Sequence, residues 1–592
     1  MNDSPTRAAP KRHGRLVALV LVGVVVVWLV CAGIVLVLGL LDASHGMSEV
    51  QQAKGRLSAS DLVSQDAVPP LRAARGDFSS SAGLLHSPLL VPLEFVPVIG
   101  RQVRSVQDLS TAAERTTRIG ISAMGRVRGV LEVAQEGGPD RVANLRRLAT
   151  LAKTTYGELE SIDTGPAHAL FSPIAHKRSD FVRQLDEVRT RLLHAAAVAE
   201  TTANILQGPQ SYLVLMANPA EMRAGSGCFL EAGLLTTDDG QVHLSGLVPT
   251  SSLTLAPGTV AVSGDVEQRW GWLLPGVDWR NLGLTPQFDV NGPLAARMWQ
   301  AATGEQVDGV IAIDVQALQQ FLDVTGPVVL GDGRAVSADD VVQFVVHDQY
   351  AGLTNATELS AAQAQAQQER QDELGDLARA TLDALENEAL DTKALANAVT
   401  ASASGRHILV WSKDPAAETA WAEGGVAGQL SPSSLLAAVM NRGGNKLDQY
   451  LGVHITLGIV PKGDDAEATL TVDLANHTPP GQSQFIAGPY PGLGTAYGEY
   501  VGLVAINLPA GASHAQVQGR PKLAAEGPEG PTWLVATPVD LKQGQSEQVV
   551  VHFRLSGEVK NLTVVPSARL NPVSWTYPGG SATDATPFVV SW

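Results

Sequence analysis

The side chains best suited to chemistry gather in one short stretch, Asn218–Gly233, which reads N-P-A-E-M-R-A-G-S-G-C-F-L-E-A-G. It sets Arg223 in front of a glycine-rich turn between two runs of strand-forming residues. A guanidinium offers a planar fork that suits bidentate contact with phosphate. Gly225 and Gly227 would let backbone amides approach an anion closely, and Asn218 and Glu221 complete the motif. Ser226 is no hydrolase nucleophile, because Ala224 stands where the elbow needs its first glycine and no base can be assigned. Cys228 has no histidine near it in sequence and reads as a small buried apolar residue. Two carboxylates in V-D-G-V-I-A-I-D, Asp308 and Asp314, are candidates for acid and base work, although an aspartate at a strand end more often closes a turn or caps a helix. The chain has no H-E-x-x-H, Walker loop or C-x-x-C, and His168 and His176 lack metal-ligand company.

The elements that must position these groups follow from length and patterning. With 592 residues, 45% apolar and 17% charged, the chain has the composition of about three or four folded units. A net charge of −17 argues against nucleic acid as the main partner. Leu16–Leu41 is 26 residues without a charge, which predicts a transmembrane helix; a cleaved signal peptide would have a shorter apolar core and a small-residue cleavage site. Arg7, Lys11, Arg12 and Arg15 against Asp3 put the N-terminus in the cytoplasm and the bulk of the chain outside the plasma membrane. The external part then carries −20, which anionic lipid would repel unless a basic patch or metal ions intervene. Cys31 lies in the span and leaves Cys228 alone outside, so no disulfide forms within the ectodomain.

The boundaries expected are a cytoplasmic tail 1–15, a transmembrane helix 16–41, an α-helical stalk 44–207, a central α/β domain 208–405, a connector 406–445 and an all-β sandwich 446–592. Apolar residues at three- and four-residue spacing give the stalk its helices, broken by the proline-bearing L-L-H-S-P-L-L-V-P-L-E-F-V-P-V-I-G, read as an apolar hinge or packing loop. In the central region Asp238, Asp239 and Gly240 mark a hairpin turn, Ser337 and Asp340 a helix capping box, and 358–387 a long polar helix. Beyond 446, short alternating segments parted by glycine and proline predict the sandwich.

The segments N-P-A-E-M-R-A-G-S-G-C-F, V-D-W-R-N-L-G-L-T-P-Q-F and A-T-G-E-Q-V-D-G-V-I-A-I-D-V-Q-A-L-Q-Q-F-L-D-V-T-G-P-V-V-L closely resemble the bacterial domain-of-unknown-function family 4012. V-P-V-I-G-R-Q-V and N-K-L-D-Q-Y-L-G extend that likeness to both sides. The layout of helix, strand, helix and closing strand is also similar to the LytR-CpsA-Psr family, membrane-anchored proteins that transfer glycan polymers from a polyprenyl pyrophosphate carrier to peptidoglycan. That resemblance implies pyrophosphate contacts at Arg223 and Arg370, Arg280 is a third candidate ligand contact, and active transfer would need a cation such as Mg2+. Gly225 stands where that family has an aspartate, and V-P-T-S-S-L where it has an arginine and an aspartate. The resemblance therefore implies binding of a lipid-linked or phosphorylated glycan in envelope assembly, with active phosphotransfer as one alternative and a non-catalytic scaffold, in which Arg223 only bonds loop carbonyls, as another.

Overall fold

The computed structural model describes residues 68–132, 138–350, 353, 361–387, 390–490 and 492–592. The expected tail and transmembrane segment, 1–41, lie outside the described residues, and among those described no helix is long and apolar enough to cross a membrane. The chain forms two compact units, one of residues up to 134 with 147–196 and the other of 135–146 with 197–592.

Helices Val68–Leu85, Ile99–Leu131, Gly138–Glu160 and Ser172–Gln207 account for most of the described residues up to 207, as the apolar spacing predicts. In the first unit they pack through small seams. Ala74, Phe78 and Ala113 share one, and Ala112, Leu159, Ile162 and Leu185 share another. Alanine at these contacts lets helix backbones approach closely while leaving little apolar area per contact to bury.

The second unit is built on a mixed sheet of β1 (Gln210–Met222), β2 (Gly227–Asp238), β3 (Gln241–Leu244), β4 (Val248–Pro249), β5 (Gly309–Asp314) and β8 (Ile408–Ser412), the hairpin β6 (Val328–Val329) and β7 (Ala335–Val336) lying apart from it. Its order is β3-β2-β1-β5-β8, with β4 on β2; β1 runs parallel to β5 and antiparallel to β2. The turn from β2 to β3 puts Asp239 and Gly240 at φ 47° and 79°, the doubly left-handed pair that a tight hairpin demands. Side-chain alternation gives β1 two buried faces. Leu213, Leu215 and Ala217 join Leu294, Met298 and Trp299 of helix Phe288–Thr303, while Val214 and Met216 meet Ala378 and Leu382 of helix Ala361–Asn387. Helices Val315–Thr325 and Ala338–Val346 complete that second layer through Leu318, Leu322, Val341 and Phe344.

The remainder is a sandwich of two six-stranded sheets. One runs β13 (Ala512–Val517), β16 (Ser546–Leu555), β11 (Asp465–Asn476), β10 (Leu451–Lys462), β18 (Ser574–Tyr577), β19 (Gly580–Thr583). The other runs β14 (Ala525–Glu529), β15 (Thr532–Leu541), β12 (Tyr500–Leu508), β9 (Ser434–Asn441), β17 (Asn561–Val564), β20 (Phe588–Ser591). Between them lies a core that includes Leu470, Val472, Val551, Val504, Ile506 and Val535. The outer face of the second sheet is covered as well, with Leu436, Ala438, Met440 and Leu503 packing on Ala224, Trp270 and Leu284 of the central domain.

Two expectations change. The segment 406–445 is no connector, since β8 closes the central sheet against β5 and β9 is an inner strand of the sandwich. All eight residues of β9 are buried, so S-L-L-A-A-V-M-N lacks the alternation by which a half-exposed strand is recognised. Ser337 does precede helix Ala338–Val346, but its hydroxyl donates to the Asp340 carboxylate and its side chain caps no backbone N–H.

Candidate functional site

The motif at Asn218–Gly233 occupies the end of β1, the turn and the start of β2, where the central sheet meets the sandwich. Arg223 is only 8% exposed. Its Nε donates to the Arg280 carbonyl at 2.6 Å, and its Nη1 donates to the carbonyls of Met222 and Asn441 at 3.0 and 2.9 Å. A guanidinium so engaged with main-chain oxygens is anchored in the protein, and the expectation of a free fork for phosphate is corrected accordingly. The glycines serve packing too. A side chain at Gly227 would place its Cβ 2.4 Å from the Asn218 carbonyl carbon, one at Gly225 would meet the Thr285 oxygen at 2.9 Å, and the Gly225 amide already donates to Gly283.

The other motif residues face the same seam. Glu221 forms a buried ion pair with Lys446, whose ammonium sits 4.5 and 4.7 Å from the ring centroids of Tyr350 and Phe485. Burial alone would lower the Lys446 pKa, but the Glu221 carboxylate outweighs it and carries the value above that of a free lysine. Asn218 Nδ2 donates to the Tyr350 hydroxyl at 2.9 Å. Beside them Asp448 accepts from the Met222 amide and Asn441 Nδ2 on one oxygen, and from Tyr500 and Arg569 on the other. Burial raises the Asp448 pKa, with Arg569 opposing. Glu221 with Lys446 and Asp448 with Arg569 thus each have an opposite charge and directed hydrogen bonds, which is the condition for keeping ions out of water, while Arg223 is held by main-chain carbonyls.

The remaining candidates are placed elsewhere. Asp308 Oδ2 accepts from the Ser211 amide at 2.9 Å, and Asp314 caps helix Val315–Thr325 through the amides of Gln316 and Ala317 while pairing with His407 at 2.7 Å. Both tie β5 into the fold, as the turn-and-cap reading had it. Arg280 lies on the surface in an ion pair with Asp278. Arg370 lies over the Tyr350 ring, 5.4 Å from its centroid, and donates to Gln349. Arg223 and Arg280 touch through backbone, whereas Arg370 shares no partner with either. Cys228 is fully buried and its thiol is pushed up to about 12 by that burial, which makes it inert.

Sequence reasoning missed one group. Glu231, across from Met216 on β2, is 2% exposed, and its Oε2 has no hydrogen-bond partner. It borders a cavity of about 40 Å³ between the sheet and the helices, lined by Met216, Leu230, Leu247, Leu318, Leu374 and Leu377, with Asn218 and Tyr350 at its edge. Burial raises the Glu231 pKa to about 7, with the charge of Arg370 opposing. The Arg370 Nε is likewise buried without a partner. The one signal in the sequence was an acid inside C-F-L-E-A-G-L-L, an otherwise apolar strand. Among the described residues no three His, Cys, Asp or Glu side chains are grouped to hold a metal ion.

Two measurements check this picture. Lys446→Met leaves Glu221 charged and buried, so it lowers unfolding stability by about 3–5 kcal/mol; adding Glu221→Gln restores most of the loss in chemical denaturation. Glu231 binds its proton more tightly folded than unfolded, so its contribution to stability falls as pH rises from the ordinary carboxylate range to about 7, by roughly 3 kcal/mol. Glu231→Gln therefore melts higher than the wild type at pH 8, and the gap closes at pH 5.

Residues 207–350 match the family model described as Protein of unknown function (DUF4012). The match ends at Tyr350, so it includes Asn218, Glu221 and Arg223 but not Lys446 or Asp448. Comparison with curated proteins found no match, and neither did comparison with solved structures.

Proposed function

We propose that this is a single-pass protein of the bacterial cell envelope, anchored by residues 16–41, whose extracytoplasmic central domain binds a lipid-linked, phosphorylated glycan without transferring it. The observation that carries the reading is the apolar cavity under helix Ala361–Asn387, bordered by Glu231, whose Oε2 has no partner, and by Gln349 and Tyr350, the two residues that Arg370 contacts while its own Nε stays buried without a partner. Arg370 is the phosphate contact in this reading, since a guanidinium with a free donor beside an apolar recess suits an anionic head on a hydrocarbon tail. At about 40 Å³ the recess holds only the start of such a tail. The likeness of Thr303–Leu330 to the LytR-CpsA-Psr layout supports a polyprenyl carrier as the tail. Arg280, exposed beside the seam, is left as an outer contact for the glycan. Transfer is disfavoured because Gly225 replaces an acid and Asp308 and Asp314 are held in turn and cap positions.

A second reading, a scaffold with no small ligand, draws on the Arg223 guanidinium being donated to carbonyls. Purification of the intact protein from membranes in mild detergent, with mass spectrometry of bound lipid, separates the two. Binding predicts a co-purified polyprenyl phosphate that falls about tenfold or more in Arg370→Ala, as loss of a charge-assisted contact implies. No phosphorylated lipid on well-folded wild-type protein supports the scaffold.

A further inference from the structure

The helical region ends in an apolar tip that the fold holds outward. Between helices Val68–Leu85 and Ile99–Leu131, Val91, Val96 and Ile99 are exposed, with Phe95 82% and Val98 62% exposed. Phe171, 53% exposed, joins them from the loop before helix Ser172–Gln207. Gln102 fastens the two loops together. Its Nε2 donates to the carbonyls of Val98 and Ala169, and its Oε1 accepts from the Phe171 amide.

The tip is a built structure. Val98, a β-branched residue, adopts φ 72° and ψ −52°, and the Ile99 amide donates back to the Pro97 carbonyl at 2.9 Å, which is the rare strained γ-turn. Gly100 packs so tightly that a Cβ there would lie 2.0 Å from the Glu94 oxygen. Of the acids in the two loops, Glu94 is turned inward to Gln107, whose Nε2 also donates to the Leu85 carbonyl, and Asp163, exposed eight residues before Phe171, accepts from the Gly165 amide. Such strain with outward apolar side chains is costly in water and calls for a non-aqueous partner.

Charge indicates which partner. Residues 68–207 carry 17 basic against 14 acidic side chains, whereas 208–592 carry 19 against 40. Within 68–131 the ratio is 8 to 4, and Arg101 and Arg104 are exposed on the first two turns after the tip, Arg104 also donating to the Glu94 carbonyl. The chain also starts close enough: 26 residues separate Leu41 from Val68, an extended reach of up to ~86 Å, against ~27 Å for helix Val68–Leu85. A second copy on this face would set arginines against arginines.

We propose that the paired loops carrying Phe95, Val98 and Phe171 are a second membrane contact, inserting into the headgroup and upper acyl layer of the outer leaflet while Arg101 and Arg104 meet anionic lipid phosphates. The contact rests on the anchor reading above and supplies the basic patch that a −20 ectodomain needs near an anionic surface. The test places an environment-sensitive fluorophore at Phe95→Cys, Phe171→Cys or Ser122→Cys, the last ~36 Å along the helix from Val98. The host is the full chain with Cys31→Ser, in nanodiscs of phosphatidylcholine and phosphatidylglycerol; Cys228 is buried and unreactive. Nitroxide on the upper acyl carbons quenches the labels at 95 and 171 about threefold or more over that at 122, as shallow insertion requires. Chain that enters the discs with both tip labels unquenched, or with copies cross-linking through Phe95→Cys, overturns the proposal alone. Chain that fails to enter discs overturns the anchor reading and this contact with it.

Discussion

A buried ion pair, Glu221 with Lys446, sets the terms for the larger of the two units. Neither charge can leave water unless the other is in place, and Lys446 is further enclosed by the rings of Tyr350 and Phe485, which stack at 5.3 Å. Glu221 comes from the central sheet, Lys446 from the turn after β9, Tyr350 from the end of the helical layer and Phe485 from the sandwich. Four segments distant in sequence must therefore arrive together, and a structure with one missing carries an unpaired charge. Asp448 repeats the logic one turn on, joining the Met222 amide to Arg569.

This constraint explains the form of the Asn218–Gly233 motif. Its polar residues form a joint between two domains, and its glycines allow the hairpin to pass close to Asn218 and Thr285. Arg223 completes the joint through the Asn441 carbonyl. Glu231, one strand along, leaves a polar atom unsatisfied at the recess, and Arg370, on the helix above, leaves its Nε unsatisfied. The carboxylates and cations of the joint are satisfied by the protein, whereas Glu231 Oε2 and Arg370 Nε are buried without a partner.

The broad architecture was legible in the sequence because it rests on local pattern. Helical spacing, the Asp239-Gly240 turn, the apolar run of β5 and the short strands beyond Leu451 all announce themselves within a few residues. The boundary at 406–445 was not, because β9 is buried on both faces and shows no alternation. The site was only half legible. Arginine before a glycine turn reads the same whether its partner is phosphate or a carbonyl 218 residues away, and that partner is fixed by tertiary contact alone. Lys446 and Asp448 lay within N-K-L-D-Q-Y, where charge in a turn suggests solvent. Glu231 was passed over because one acid in an apolar strand gains meaning only when its neighbours are known.

The central claim is that the polar seam makes the central sheet and the sandwich one cooperative body. Native-state hydrogen exchange of the intact protein across a denaturant series measures this directly, through the Met222 amide that Asp448 holds, the Leu215 amide of β1 and the Val472 amide of the sandwich core. The account predicts one shared opening free energy and one shared denaturant slope for all three. Exchange of Leu215 and Met222 through an opening that leaves Val472 protected would contradict it.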